Sequence, residues 1–248
     1  MIDLHCHVLP GLDDGPQSLA DSIALCRAAA RAGTTTIVAT PHVSPDWPLN
    51  TPPVVAAAAS RLSGLLQREG IALEIVAGAE VALTSAALMS DERLGEYHLG
   101  HGRWLLIECP RSPLVAGFDR ILHSLQERAH GIVLAHVERC PAFVRDPEAL
   151  ESFLRTGMLS SITSGALIGR FGRTVQRFAL RLLRDGLVHN IASDAHNLTR
   201  RPPTLVPDLH AARLTAEAAY YADAVPRAIL EGGELPFPGV RAQSPVQY

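Results

Sequence analysis

The sequence predicts an α/β fold, a parallel sheet of seven strands curled into a barrel with helices around it. Three observations lead there. Short apolar segments alternate with amphipathic helical segments along most of the chain. The apolar segments are brief and rich in Ile, Val and Leu, as strands buried on both faces are. The chain has 248 residues, 47% of them hydrophobic, which suits one barrel domain with a large core.

Taken in order, the expected strands are 2–6, 36–40, 74–79, 104–109, 132–135, 159–163 and 188–193. The first helix opens at Ser18, an N-cap with Asp21 three residues on, buries Leu19, Ile23, Cys26 and Ala30, and stops at Gly33. Pro52 and Pro53 open the second, which ends at Gly70. A third carries Phe118, Ile121, Leu122 and Leu125 on one face; a fourth starts at Pro147 and ends near Gly157; a fifth, marked by Val175, Phe178 and Leu182, stops at Gly186. Residues 211–230 read as a terminal helix interrupted or kinked at Pro226. The single domain is expected over 1–235, with a loose Pro-rich tail over 236–248.

In barrels of this kind the chemistry sits at the carboxyl ends of the strands, so the residues ending each strand matter most. The first ends in His5-Cys6-His7, which puts both imidazoles on one side and Cys6 on the other. Asp13-Asp14-Gly15 follow. The second strand runs into His42, the third ends at Glu80, the fourth at Glu108, the fifth at His136, and the seventh in Asp194-Ala195-His196. A single buried His or Glu is usually a hydrogen-bonded structural residue. This many imidazoles and carboxylates at one barrel end is prohibitively costly unless cations neutralise them. All the candidate ligands offer nitrogen or oxygen and none a thiolate, which suits Mn, Fe(II) or Zn and argues against a Cys-type structural zinc site. Nine of them, His5, His7, Asp14, His42, Glu80, Glu108, His136, Asp194 and His196, exceed what one ion takes, so two or three divalent ions are expected.

The bulk properties remove other classes. A net charge of −3 gives no reason to expect nucleic acid or an anionic membrane as partner. No apolar run reaches the roughly 20 residues that a membrane span needs. No signal peptide is expected, because Met1 to His7 already hold part of the site. Four cysteines without a CxxC pair read as reduced thiols, hence a cytoplasmic location. A cysteine phosphatase needs an Arg six residues after its Cys. Leu12, Ala32, Val115 and Asp146 stand there instead, so Cys6 reads as a strand residue facing the core.

The segments Ile2 to Gly15 (H-x-H-x-L-P-G-x-D-D-G), Ala39-Thr40-Pro41-His42, Gly78-Ala79-Glu80, Ala135 to Arg139, Gly165 to Gly172 and Ser193 to Leu198 (SDAHN, with Arg-Pro following) resemble the PHP superfamily. Within it they are similar to the CpsB/CapC-type manganese-dependent protein-tyrosine phosphatases, from Met1 to about Gly232. The resemblance implies a distorted (β/α)7 barrel of PHP type with three metals. His5, His7, Glu80 and Asp194 would hold one; Glu80, as a bridge, Glu108 and His136 the second; Asp14, His42 and His196 the third. Manganese is the expected ion, with Fe, Zn, Co and Mg as alternatives. Asp13 is the lesser of its pair, fixing the turn before Gly15. Arg139 and Arg201 match family positions that hold phosphate, a task suited to the planar guanidinium fork. Their bland alternatives are a surface salt bridge to Glu138 or Asp146, and a solvated loop. Val137, Cys140 and Arg200 depart from the family pattern, which bears on the shape of the substrate pocket.

The reaction so implied is hydrolysis of a phosphomonoester by metal-activated water, with Arg139 and Arg201 stabilising the transferred group. His42, His136 or His196 have a second candidate role, protonating the leaving group. The family resemblance points to a phosphotyrosine protein, a bacterial tyrosine autokinase that controls capsule or exopolysaccharide synthesis. A PHP phosphatase for a small molecule such as histidinol phosphate would use the same ligands. A non-catalytic partner protein on this fold would have lost ligands, and none is missing. A homo-oligomer is compatible with the sequence.

Overall fold

The computed structural model describes residues 1–111 and 117–236. Its strands, all paired in parallel, are β1 (Ile2–Cys6), β2 (Thr36–Ala39), β3 (His42–Val43), β4 (Glu74–Ala77), β5 (Glu80–Ala82), β6 (Trp104–Glu108), β7 (Gly131–Leu134), β8 (Leu159–Thr163) and β9 (Asn190–Ala192). They form a three-stranded sheet β1-β2-β4 and a six-stranded sheet β3-β5-β6-β7-β8-β9. The architecture is α/β with a curled parallel sheet.

Among the described residues there are nine strands and not the expected seven, because the second and third expected strands are each followed, past a break, by a further short strand. Pro41 has no N–H for the ladder and separates β2 from β3. Gly78 lies between β4 and β5, where a Cβ would stand 2.7 Å from Val38 and 3.1 Å from Leu99, so only glycine lets the chains approach that closely. Hydrogen bonds continue across both breaks, Gly78 N–H to Ala39 O at 2.9 Å and Glu80 N–H to Pro41 O at 3.1 Å. The breaks therefore bend the sheet without parting it. They make His42 and Glu80 direct cross-strand partners. Beyond Cys6 the chain bonds to the segment after β9, through Asp194 N–H to His5 O and His7 N–H to Ala195 O, both at 2.9 Å.

Side chains on the two faces of the strands enter different clusters. Val38, Leu106, Val133 and Leu159 pack with Leu4, Val225 and Ile229. Leu105, Ile107, Ile132 and Leu134 pack outward against Phe118, Leu122, Leu125, Phe178 and Leu182 from the flanking helices. Cys6 packs with Leu25, Cys26, Val55 and Leu62 from helices Leu19–Arg31 and Pro52–Arg68. Leu4 and Cys6 are two apart yet lie in different clusters. The β1–β2 register shifts between Asp3 and Cys6, and this irregularity turns His5 and His7 inward at the end of a strand whose Leu4 already faces inward.

Helices appear where their caps predict them. Ser18 accepts from Asp21 N–H and opens Leu19–Arg31. Pro52–Arg68, Phe118–Glu127, Pro147–Arg155 and Arg173–Arg184 follow the expected ends closely. The C-terminal region differs from the expected helix over 211–230. A helix runs over Leu205–Ala211 and ends where Arg213 takes a left-handed φ of 61° and Leu214 N–H bonds Leu209 O. Helix Val225–Glu231 starts next to Pro226, which sits in the first turn, where its missing N–H costs nothing; the break in helical geometry falls at Ala222. The tail from residue 237 lies outside the described residues. Among those described, no helix is long and apolar enough to cross a membrane.

Candidate metal centre

The nine candidate ligands converge at the carboxyl ends of the strands. His5 Nε2 and His7 Nε2 lie 3.1 Å apart. Each is 3.3 Å from Glu80 Oε2, and they are 3.5 and 3.6 Å from Asp194 Oδ1. Glu80 Oε2 is also 3.0 Å from His42 Nδ1, and Glu80 Oε1 is 2.8 Å from His136 Nε2. Glu108, on β6, lies 3.9 Å from His42 and 3.6 Å from His136. Asp14 Oδ1 stands 3.2 Å from His196 Nε2 and 3.4 Å from His42 Nε2. Three sets of donor atoms are each mutually within 4.8 Å: His5-His7-Glu80, His42-Glu80-Glu108, and His7-Asp14-His42-His196. Compared with the grouping implied by resemblance, His42 joins the Glu80–Glu108 set, while His136 approaches it from the Glu80 Oε1 side.

The electrostatics match a crowd of carboxylates and imidazoles. Burial alone would raise the Glu80 carboxyl, yet the charges of His5 and His136 hold it well below its ordinary range. Asp194 is held down likewise, by Arg139, His5 and Arg201 against burial. Asp14 is lowered by the His196 and His42 imidazoles that face its carboxylate. Burial, then the Glu80 charge, pushes Glu108 up. The imidazoles split. Burial works to lower His7 and His42, but Asp13 and Glu80 push the first up to about 9, and Asp14 and Glu80 push the second up to about 11. Burial and nearby positive charge, from Arg139 and His7 respectively, bring His136 and His196 to about 4.

Three buried donor atoms at the centre have no hydrogen-bond partner: Glu80 Oε2, Asp194 Oδ1 and His196 Nε2. A buried lone pair without a partner costs about 1–3 kcal/mol. Several converging on one space fit cations, and the nitrogen and oxygen donors fit Mn, Fe(II) or Zn. The backbone is strained where ligands leave the strands. His136 and Asp194 take φ of 33° and 51°, left-handed values that cost non-glycine residues of order 1–3 kcal/mol and cluster at functional sites.

Beside the donor cluster, Arg139 and Arg201 both place a terminal nitrogen on Asp194 Oδ2. Both side chains are half-buried, with Arg139 Nε and Arg201 Nε out of solvent. Arg139 also lies 3.7 Å from Glu138, which is fully buried and far from any surface bridge. Asp46, Trp47, Leu83, Pro110 and Arg111 line a cleft of about 340 Å³ that opens beside His42 and Glu108.

The chain matches the family model described as capsular polysaccharide synthesis, CpsB/CapC, over residues 1–225. It belongs to the CpsB/CapC family. Among CpsB/CapC relatives, it is 37% identical to the tyrosine-protein phosphatase YwqE of Bacillus subtilis over 201 residues, covering 81% of this chain and 79% of that protein. It is 31% identical to the putative tyrosine-protein phosphatase CapC of Staphylococcus aureus, over 82% of this chain and 79% of the relative. Among solved structures, the metal-dependent tyrosine phosphatases YwqE from Bacillus subtilis and CpsB from Streptococcus pneumoniae give a match with TM-score 0.82 and 32% identity, covering 97% of this chain and 100% of that one. A phosphotriesterase from Mycobacterium tuberculosis, at TM-score 0.54 and 14% identity, shares the fold alone.

Within the CpsB/CapC frame the structure adds residues that motif reading passed over. Asp13 fixes the turn by accepting from Gly15 N–H at 2.9 Å. It also accepts from His42 N–H at 3.0 Å and holds His7 Nδ1 at 2.6 Å, leaving His7 Nε2 aimed at the cluster. Asp3 accepts from Ser193 N–H at 2.9 Å and ties β1 to the Asp194 segment; burial pushes its carboxyl up to about 6. Its signal was present, an acid inside a strand buried on every residue.

Proposed function

We propose that this chain is a metal-dependent protein-tyrosine phosphatase, acting on a bacterial tyrosine autokinase that governs capsular or exopolysaccharide synthesis. The observation that carries the reading is the set of unpartnered buried donors, Glu80 Oε2, Asp194 Oδ1 and His196 Nε2, beside two arginines. The relatives are named tyrosine-protein phosphatases, and the solved pair is described as metal-dependent.

Two or three divalent ions would be held: by His5, His7, Glu80 and Asp194; by Glu80, Glu108 and His136, with His42 in reach; and by Asp14, His42 and His196. Manganese is the first choice among Mn, Fe, Zn, Co and Mg. When bound, such ions supply a nucleophilic water at neutral pH and charge stabilisation for the phosphoryl oxygens. The chain's own residues do the rest. Arg139 and Arg201 would exchange Asp194 Oδ2 for phosphoryl oxygens, since their forks match either anion. Asp13 fixes the tautomer and aim of His7. Asp3 and Glu138 brace the two segments that bear Asp194 and Arg139: Asp3 accepts from Ser193 N–H, and Glu138 accepts from Thr163 N–H at 3.0 Å. A tyrosine leaving group asks little acid help, because phenol ionises with a pKa of about 10. Giving that proton is the second candidate role of His42, His136 or His196, each a ligand first.

The test is phosphate release from a phosphotyrosine peptide and from histidinol phosphate, each with Mn²⁺ and with chelator. Chelator-sensitive turnover of the peptide, lost in His42→Ala, is the expected result. A strong preference for histidinol phosphate would move the function to small molecules, and inactivity on both with every metal would remove the enzymatic reading.

A further inference from the structure

The Gly165–Gly172 segment lies outside the metal cluster, and no step above uses it. Ala166 and Leu167 are buried, whereas Ile168 to Arg173 are partly or fully exposed. The exposed half nevertheless carries Phe171, whose ring lies under the Arg139 guanidinium, 4.7 Å from Cζ to the ring centroid. Phe171 is half-buried against the edge of the core, Gln176 Nε2 donates to Leu167 O at 2.9 Å, and Arg170 adds a polar clamp. Its guanidinium forks onto Asp208, with Nη1 to Oδ2 at 2.7 Å and Nη2 to Oδ1 at 3.1 Å, and reaches Thr204 Oγ1 at 3.2 Å. Asp208 is buried and also accepts from Ser164 Oγ at 2.9 Å and Thr204 Oγ1 at 3.1 Å. Gly165 makes room for the clamp: a Cβ there would stand 2.2 Å from Arg170 Nη1.

Asp208 belongs to helix Leu205–Ala211, and Thr204 stands just before that helix, three residues after Arg201. One ion pair, with Asp208 buried and Arg170 half-buried, thus joins the turn that seats Arg139 to the segment that carries Arg201. Such a pair gives little net stability after desolvation; its best-attested value is geometric. We propose that Arg170 and Asp208, acting through Phe171 and Thr204, are positioning residues that set the spacing of Arg139 and Arg201 for the phosphoryl group. The inference rests on the reading that these two arginines hold phosphate.

The experiment uses the full chain with Mn²⁺. It reads kcat and KM on a phosphotyrosine peptide, the inhibition constant of inorganic phosphate, bound metal and Tm. Arg139→Lys checks the underlying reading: if the phosphate inhibition constant stays unchanged there, that reading fails and takes the proposal with it. Phe171→Leu keeps apolar volume but removes the aromatic face, and the paired Arg170→Met/Asp208→Leu replaces the ion pair with apolar side chains. Both are expected to raise KM and the phosphate inhibition constant together by about 2- to 30-fold, the range of one cation–π contact, with kcat and bound metal nearly unchanged. Phe171→Tyr, which keeps the ring, should stay near the parent values. If Arg139→Lys weakens phosphate while Phe171→Leu and the paired variant change only Tm, the clamp is structural and the proposal is overturned. Should the paired variant fail to fold, the Phe171→Leu and Phe171→Tyr contrast decides.

Discussion

Two groups of histidines sit at opposite ends of the same strands and behave differently. Beside the amino ends, His98 Nε2 meets His130 Nδ1 at 2.9 Å, and His130 faces a single carboxylate, the largely exposed Asp91, at 3.6 Å. Burial lowers both imidazoles, and the neighbouring His130 lowers His98 further. At the carboxyl ends five imidazoles share space with Asp14, Glu80, Glu108 and Asp194, and the pKa values move both ways. One group resolves its burial by staying neutral and sharing a hydrogen bond. The other keeps ionised carboxylates and unpartnered donors in the interior, which folding alone gives no reason to retain. Residue type is the same at both ends; the excess of buried carboxylate separates a structural pair from a site.

The change that most severely tests this contrast is Glu80→Gln, because Glu80 belongs to two of the three donor sets. Peptide hydrolysis with Mn²⁺ should fall by more than about 100-fold, the upper loss for removing a mere outer partner of a metal ligand. Metal analysis should show fewer bound ions. The Tm in chelator should fall, because Gln leaves the imidazoles of His5, His42 and His136 without the buried carboxylate that faces them. Full activity in Glu80→Gln would make the cluster structural, like the His98–His130 pair.

Much of this site was legible in the sequence because it is written at strand ends. Short Ile/Val/Leu runs locate the strands, and most ligands stand at or just past a strand end: Glu108 ends β6, while His42 and Glu80 begin β3 and β5 just past a break. The breaks themselves were not legible. Pro41 and Gly78 signal a bend, but the continued hydrogen bonding that keeps His42 opposite Glu80 depends on the neighbouring strands. The Asp13–His7 bond was missed because an Asp-Asp-Gly turn explains itself locally, and only the folded register brings His7 under it. The terminal helix was misplaced because Pro226 looks like an interruption until Ala222 supplies the break just before it.

Asp13→Asn sharpens the contrast more gently. It removes the charge behind His7 and leaves every proposed ligand in place, so Mn²⁺ affinity, read by titration of activity against free metal, should drop about 10- to 100-fold. Activity at saturating metal should largely recover. An unchanged affinity would return Asp13 to the turn-making role alone.

The smallest effect is expected at the other end. For His98 and His130 the folded pKa values lie below the ordinary 6.5, so the unfolded chain binds more protons as the pH falls through that value. The stability tied to these two groups is therefore complete above about pH 6.5 and lost below it. The paired variant His98→Leu/His130→Leu should flatten the acid limb of the Tm profile relative to the parent while leaving kcat at neutral pH unchanged. A large loss of peptide hydrolysis in that variant would mean that the two ends are coupled, and the separation between structural and functional histidines would fail. An acid limb as steep as the parent's would show that the site's own histidines and carboxylates, and not this pair, govern acid unfolding.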